Sequence, residues 1–292
     1  YGTAIVGTVS GTAISFGTPV VFESASSLYI SATYDSTNNK VVIAYQDAGN
    51  SSYGTAIVGT VSGTAISFGT AVVFESATSN SMSAVYDSTN GKVIIAYSDA
   101  GNSNYGTAVV GTVSGTSISF GTLVVFNSAS TQIGLSATYD SNANKTVIAY
   151  RNVGNSGYGT AVVGTVSGTS ISFGTPVVFE SASIQYTSTI FDSTNNKVVI
   201  AYQDVDNHSG YGTSVVFTVG SSNSASFIGI TDAAISSAAT GTVIVQGGVS
   251  TSVTGLTTAT DYYVQVDGTI SATVSTVPAG RALSTTSILL EG

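Results

Sequence analysis

The stretch YDSTNNKVVIAYQDAGNSSYGTAIVGTVSGTAISFGTAVVF, residues 34–74, returns almost unchanged from Tyr86, Tyr139 and Phe191. It alternates runs of Val, Ile, Tyr, Phe and Thr with short segments of Asp, Asn, Ser and Gly. The first kind of segment is typical of strands and the second of turns. Similarity at a fixed spacing is characteristic of repeat architectures. The stretch therefore predicts a fold built from one repeating β unit.

The repeat has a nearly constant length. Tyr-Gly-Thr begins at Tyr1, Tyr53, Tyr105, Tyr158 and Tyr211, which gives intervals of 52, 52, 53 and 53 residues. Each period predicts four strands, which we name A to D; in the first complete set they cover residues 30–34, 40–46, 54–61 and 65–74. The short A–B and C–D turns are typical of antiparallel neighbours.

Four-stranded antiparallel sheets at this spacing predict the blades of a β-propeller. The period is too short for an immunoglobulin-like sandwich, and hairpins at every step argue against a parallel β-helix. The predicted repeats are 1–52, 53–104, 105–157, 158–210 and a partial copy at 211–226. Because the chain opens with strands C and D, either residues 1–22 complete a ring whose other half-blade comes from elsewhere or further repeats lie upstream of Tyr1. We expect a ring of about five or more blades.

Residues 227–292 depart from the repeat. Strand patterns at 241–246, 262–266 and 287–290, with an Asp267-Gly268 turn, predict a small β-sandwich or barrel. A module of this size is marginally stable alone, so we expect it to serve attachment or oligomerisation.

Composition excludes several classes of protein. The chain is 42% hydrophobic and only 7% charged, which argues against disorder. With a net charge of −9 and only six Lys and Arg, the chain lacks the basic surface that is typical of nucleic-acid-binding proteins. It contains no apolar run of about 18 residues, so no membrane insertion is expected.

Differences between the copies concentrate in the D–A and B–C links, whereas the A–B and C–D turns are nearly constant. Ligand-binding loops on a constant scaffold would vary in this way. The alternative is that longer loops tolerate more sequence change than tight turns do. Aromatic and amide side chains suit sugar binding, although ordinary loop decoration would look similar. The candidate ligand-binding residues are Tyr29, Asn80, Gln132, Gln185 and Tyr186 in the D–A links, and Asp47, Asp99, Arg151 and His208 in the B–C links.

No catalytic residue is predicted. Asp35 and Asp47 recur as a pair, but a glycosidase needs one asymmetric pair of carboxyl groups, and an Asp that opens a hairpin normally caps its turn. A sialidase-like propeller would need Trp and an arginine cluster; the chain has no Trp and only two Arg. No metal site or cofactor is predicted either, with calcium at Asp204 and Asp206 as an alternative that lacks a bidentate Glu.

The segment ISATYDSTNNKVVIAYQDAGNSSYGTAIVGTVSGTAISFGTAVVF resembles repeats of virion structural proteins of tailed bacteriophages, marine and freshwater ones in particular. The ending GLTTATDYYVQVDGTISATVSTVPAGRALSTTSILLEG is similar to C-terminal modules of tail-fibre and head-decoration proteins. The resemblance implies a non-enzymatic, homo-oligomeric protein on the virion surface or otherwise extracellular. Its C-terminal module would hold other virion proteins, and its propeller would contact host-surface glycan. The alternatives are a purely structural fibre or decoration protein, a bacterial surface protein, and a polysaccharide-active propeller enzyme.

Overall fold

A computed structural model of the chain describes residues 1–206, 210–219, 230–231, 243–244, 249–251, 253–264, 270–272 and 278–290. It divides into two compact units, Tyr1–Val219 and Gly220–Gly292. Within the described ranges the regular elements are antiparallel strands, apart from two 3-10 turns at Ala100–Asn102 and Val153–Asn155. Nothing helical in these ranges has the length and apolarity that crossing a bilayer requires. The predicted all-β class is confirmed.

The strands of the first unit follow the order A, B, C, D. A half repeat at the start contains only C and D strands: β1 (Gly2–Ala4), β2 (Gly7–Ser10), β3 (Ala13–Phe16) and β4 (Val20–Glu23). Repeat 1 contains β5 (Ser27–Asp35), β6 (Lys40–Asp47), β7 (Tyr53–Ser62), β8 (Ala65–Phe68) and the first part of β9 (Val72–Asp87). Repeat 2 continues with the rest of β9, β10 (Lys92–Asp99), β11 (Tyr105–Ser114), β12 (Ser117–Phe120) and β13 (Val124–Ser130).

The remaining two repeats have the same plan. Repeat 3 contains β14 (Leu135–Asp140), β15 (Lys145–Asn152), β16 (Tyr158–Ser167), β17 (Ser170–Phe173) and the first part of β18 (Val177–Asp192). Repeat 4 contains the rest of β18, β19 (Lys197–Asp204) and β20 (Tyr211–Phe217). In every repeat A pairs with B and B pairs with C, all antiparallel.

Strand D is split in the structure, so the prediction of one continuous strand over 65–74 is wrong. The second half of β7 pairs with β8, and its first half pairs with β9. The interruption begins at Gly69, where a Cβ atom would lie 1.9 Å from the carbonyl oxygen of Thr116 in repeat 2. In repeat 1 the interruption therefore coincides with a close approach of the neighbouring repeat.

The interpretation of every D–A link as a loop is also wrong. In β9 and β18 strand D of one repeat bends into strand A of the next within a single strand, and Ser81 and Tyr186 have positive φ angles at the bend. In the other two links the strands are separate: residues 24–26 lie between β4 and β5, and residues 131–134 lie between β13 and β14. The bend brings the variable residues onto strand A itself, because pairing continues through it.

Successive sheets pack face to face. Val42 and Val58 of repeat 1 share a buried cluster with Ile95 and Tyr97 of repeat 2. The opposite face of repeat 2 packs in the same way on repeat 3, and repeat 3 packs on repeat 4. Both faces of a central sheet are therefore buried, which explains why its strands are apolar at consecutive positions.

Aromatic contacts recur at each of these interfaces. The ring of Phe74 in repeat 1 lies 5.3 Å from that of Tyr97 and 5.5 Å from that of Phe120, both in repeat 2. The Tyr97 hydroxyl donates to Oε2 of Glu75 over 3.0 Å. Phe22, Phe126 and Phe179 pack on the equivalent tyrosines, Tyr45, Tyr150 and Tyr202.

The face-to-face packing stops at the two ends of the series. Phe16 in the half repeat is 60% exposed, and Val216 in repeat 4 is 61% exposed. Val110, which occupies the position of Val216 in repeat 2, is fully buried. In the described part of the chain no sheet closes on itself, so the strand pairing shows several antiparallel sheets, and their arrangement as a propeller stays a prediction.

The second unit has its own core. Its strands are β21 (Ile230–Thr231), β22 (Val243–Ile244), β23 (Val249–Ser250), β24 (Asp261–Val264), β25 (Ile270–Ser271), β26 (Pro278–Ala282) and β27 (Ile288–Leu290). Five of them form a sheet in the order β23-β27-β26-β24-β25, and β21 and β22 form a separate pair. Tyr262, Ile288 and Leu290 are buried in its core. The boundary predicted at 226/227 and the predicted Asp267-Gly268 turn lie outside the described residues.

Candidate ligand-binding site

The four A strands share an irregularity near their first residues. The backbone φ angle is 49° at Tyr29, 45° at Ser81, 84° at Gly134 and 48° at Tyr186, which are equivalent positions in the four repeats. In β5, β9 and β18 the pairing with strand B shifts register at this point. A residue other than Gly in this conformation costs of order 1 kcal/mol or more, and such strain often accompanies a binding site. Two exposed tyrosines held this way are unusual.

These irregular segments meet around one concavity of about 440 Å³. Residues 29–30, 81–82, 132–135 and 186–187 line it, so each of the four repeats contributes the start of its A strand. Gly134 fits here for a second reason: a Cβ atom on it would lie 2.8 Å from the backbone nitrogen of Tyr186. The A strands of repeats 3 and 4 therefore approach each other too closely for a larger residue.

The lining is aromatic and aliphatic, with a few polar groups. Met82 and Leu135 are buried, whereas Tyr29 is 49% and Tyr186 is 70% exposed. No Asp, Glu, Lys, Arg or His is among the lining residues. The site can therefore contact a ligand through rings, methyl groups and neutral hydrogen-bonding groups.

Polar contacts hold the wall formed by repeat 3. The Gln132 side chain donates from Nε2 to Oδ1 of Asn104 over 2.7 Å. The Ser81 hydroxyl donates to the backbone carbonyl of Gln132, which ties repeat 2 to repeat 3. Because the Gln132 amide nitrogen is engaged by Asn104, its oxygen is the atom suited to accept a hydrogen bond from a ligand.

Three of the candidates predicted in the D–A links line the concavity: Tyr29, Gln132 and Tyr186. The other two lie beside it. Asn80 accepts a hydrogen bond from Gln46 Nε2 over 2.9 Å, and Gln185 pairs with Gln203 of β19. Their contact with a ligand stays a prediction.

The three described candidates from the B–C links, Asp47, Asp99 and Arg151, do not line the concavity. Asp47 Oδ1 accepts the amide of Gly49 over 2.9 Å, and Asp99 Oδ1 accepts the amide of Asn102 over 3.2 Å. Both carboxylates thus shape their own loops. Arg151 Nη2 lies 3.4 Å from the Ser183 hydroxyl, and His208 lies outside the described residues.

The two acidic residues considered for calcium have other contacts. Asp204 is fully buried, and Asp206 Oδ2 accepts the amide of Ser183 over 3.0 Å. In the ranges that the structure describes, no three His, Cys, Asp or Glu side chains form a group that could hold a metal ion.

The recurring Asp pair is separated by the whole length of strand B. Asp35 pairs with Lys40 at the start of β6, whereas Asp47 is its last residue. Seven residue steps along a strand span about 24 Å. Asp35 Oδ1 accepts the amides of Thr37 and Asn38, each over 3.0 Å, which confirms that this Asp caps its turn.

Sequence reasoning missed the apolar part of the lining, Ile30, Met82, Ile133 and Leu135. It singled out aromatic and amide residues by type and took aliphatic ones for core. Comparing equivalent positions of the four repeats would have indicated these residues. Residues 28–30 read LYI, NSM, IGL and QYT in the four copies, yet they are always followed by a serine, at Ser31, Ser83, Ser136 and Ser188.

Comparison with known proteins adds no relative. No protein-family model matches the chain, and no curated protein matches it either. The function is therefore argued from the concavity and from the sequence.

Proposed function

We propose that this chain is a non-enzymatic surface protein of a phage particle, either a tail fibre or appendage or a capsid decoration. In this proposal its repeats form a β-propeller and its concavity binds host-surface glycan. The observation that carries the proposal is that one position of the repeat, present in four copies, lines a single concavity.

The convergence of the A strands supports a common axis. Packed sheets are about 10 Å apart, so four sheets in a straight stack would spread equivalent residues over about 30 Å. A concavity of about 440 Å³ could not then be lined by all four. Sheets arranged around an axis, with strand A innermost, bring these residues together.

The chemistry of the lining supports sugar binding. Exposed tyrosine rings suit stacking against the apolar face of a pyranose, and the Gln132 amide suits a sugar hydroxyl or amide. The lining holds no carboxylate pair, imidazole or thiol that could transfer a proton or attack a bond. A particle that carries many copies gains avidity from weak sites. The location on a virion rests on the resemblance of the repeat to virion proteins.

The experiment is a glycan array probed with the full chain in multivalent display. Tyr29→Ala and Tyr186→Ala should each lower binding at least tenfold, since each removes a stacking ring. Tyr211→Ala is the matched control, because Tyr211 is 67% exposed but does not line the concavity. Absence of binding to any glycan, or an equal loss in the control, would contradict the proposal.

The second candidate is a purely structural fibre or decoration protein. The exposed apolar end faces, which include Phe16 and Val216, favour it because such faces are typical of association surfaces. Under this alternative, Phe16→Asp would abolish assembly of the particle component, whereas Tyr186→Ala would change neither assembly nor infection.

A further inference from the structure

We infer that the concavity selects uncharged sugars that carry an N-acetyl group. This inference rests on the proposed function and narrows it to one class of ligand. It rests on three features of the lining together: the absence of charged side chains, the apolar floor formed by Met82 and Leu135, and the polar wall formed by Gln132.

The absence of charge among the lining residues disfavours acidic sugars. A carboxylate, sulfate or phosphate enclosed here would lose water without gaining a cationic partner, which costs several kcal/mol unless the group stays solvated. The protein's net charge of −9 adds a weak long-range repulsion of anions. Recognition of a neutral ligand should in turn be almost independent of ionic strength.

The floor provides more apolar surface than ring stacking needs. Met82 and Leu135, which are both buried, form this floor. The exposed side chains of Ile30 and Ile133 add to the same apolar surface. A hexose with hydroxyl groups on every carbon would face these aliphatic groups with polar atoms. A methyl group matches them, and one such group in an apolar pocket changes affinity about 10-fold to 200-fold.

The polar wall suits the rest of an acetamido group. Gln132 is fixed through its Nε2 by Asn104 and can accept an N–H hydrogen bond on its Oε1. An N-acetyl group presents a methyl group and an N–H within a few Å of each other. The juxtaposition of Met82 and Leu135 with Gln132 in one lining is the feature that favours this group over a deoxy sugar, which has a methyl group but no amide.

The test uses the full chain with four polymer-displayed probes: N-acetylglucosamine, glucosamine, glucose and glucuronate. We expect binding to N-acetylglucosamine to be at least tenfold tighter than binding to glucose, and we expect no binding to glucuronate. The affinity for N-acetylglucosamine should be the same at low and high salt. Stronger binding to glucuronate, or equal binding to glucose and N-acetylglucosamine, would overturn the inference while leaving glycan binding intact. Absence of binding to every sugar would overturn both this inference and the proposed function.

A rim variant separates this role from folding. Ile133→Ser removes part of the apolar surface of the lining. Because Ile133 is 42% exposed, the fold should be retained. The substitution should reduce the preference for N-acetylglucosamine over glucose to under about threefold. Ile190→Ser, at an exposed residue outside the lining, is the matched control and should keep the full preference. An unchanged preference in Ile133→Ser would overturn the assignment of the methyl group to this apolar surface.

Discussion

Single glycines mark the closest approach between neighbouring repeats. A Cβ atom on Gly17, Gly69 or Gly121 would lie within 2 Å of a backbone carbonyl oxygen of the next repeat. At Gly174, the equivalent in repeat 3, the nearest atom would be 3.8 Å away. These positions carry glycine in every copy, but only three of the four need it sterically.

We expect Gly69→Ala to lower the free energy of unfolding by about 2 kcal/mol or more, because the new methyl group forces the backbone of Thr116 to move. Gly174→Ala is the control and should change stability by less than about 0.5 kcal/mol, or stabilise slightly. Urea unfolding of the two variants measures the difference. Equal effects would show that the contact between Gly69 and Thr116 is not tight.

A second residue-scale difference concerns the buried tyrosines. Tyr97 donates to Glu75, whereas Tyr150 has no hydrogen-bond partner in the described structure, because Asn127 stands where repeat 1 has Glu75. Tyr97→Phe should destabilise by about 1–3 kcal/mol, since it leaves the buried Glu75 carboxylate without its donor. Tyr150→Phe should be neutral or stabilising in the same thermal and urea measurements. A larger loss in Tyr150→Phe than in Tyr97→Phe would contradict this account.

Whole strands are stabilised by the sheets on either side of them. Strand C is nearly identical in the four repeats, yet its outer face is covered in β11 and uncovered in β20. The same amino acid therefore contributes different amounts of burial depending on its place in the series.

Val110→Ala should lower the free energy of unfolding by about 1–2.5 kcal/mol, because it leaves a cavity between repeats 2 and 3. Val216→Ala, the same change at the equivalent exposed residue, should cost less than about 0.5 kcal/mol. Unfolding followed by far-UV circular dichroism compares them. Similar losses at both positions would mean that the outer face of repeat 4 is covered in solution.

The molecule as a whole buries one tyrosine at each interface between repeats. Burial raises the pKa of Tyr45, Tyr97 and Tyr150 well above the ordinary value, and burial with a hydrogen bond to Glu180 raises the pKa of Tyr202 to about 12. Because the folded protein keeps these protons while the unfolded chain loses them near pH 10, their contribution to stability is complete below pH 10. This contribution falls as the pH rises above 10, through the pKa of about 12 for Tyr202 and through still higher pKa values for the other three tyrosines.

We therefore expect alkaline unfolding above pH 10, with stability falling by about 1.4 kcal/mol per pH unit for each core tyrosine. Tyrosinate absorbance and far-UV circular dichroism, recorded together from pH 8 to 12.5, should change in one step for the buried rings. If all tyrosines titrated near pH 10 with the sheets intact, the interfaces would be looser than described.

The sequence by itself determined the repeat, its strand order and its antiparallel turns, because these depend on local patterns that recur within each copy. Asp35 as a turn cap was equally local. Only the tertiary structure showed that strand D divides into two segments that pair with different halves of strand C, and only it showed that D and A are continuous in β9 and β18. It alone collected Tyr29, Met82, Gln132 and Tyr186 around one concavity, because residues about 52 positions apart meet only when the sheets pack on each other.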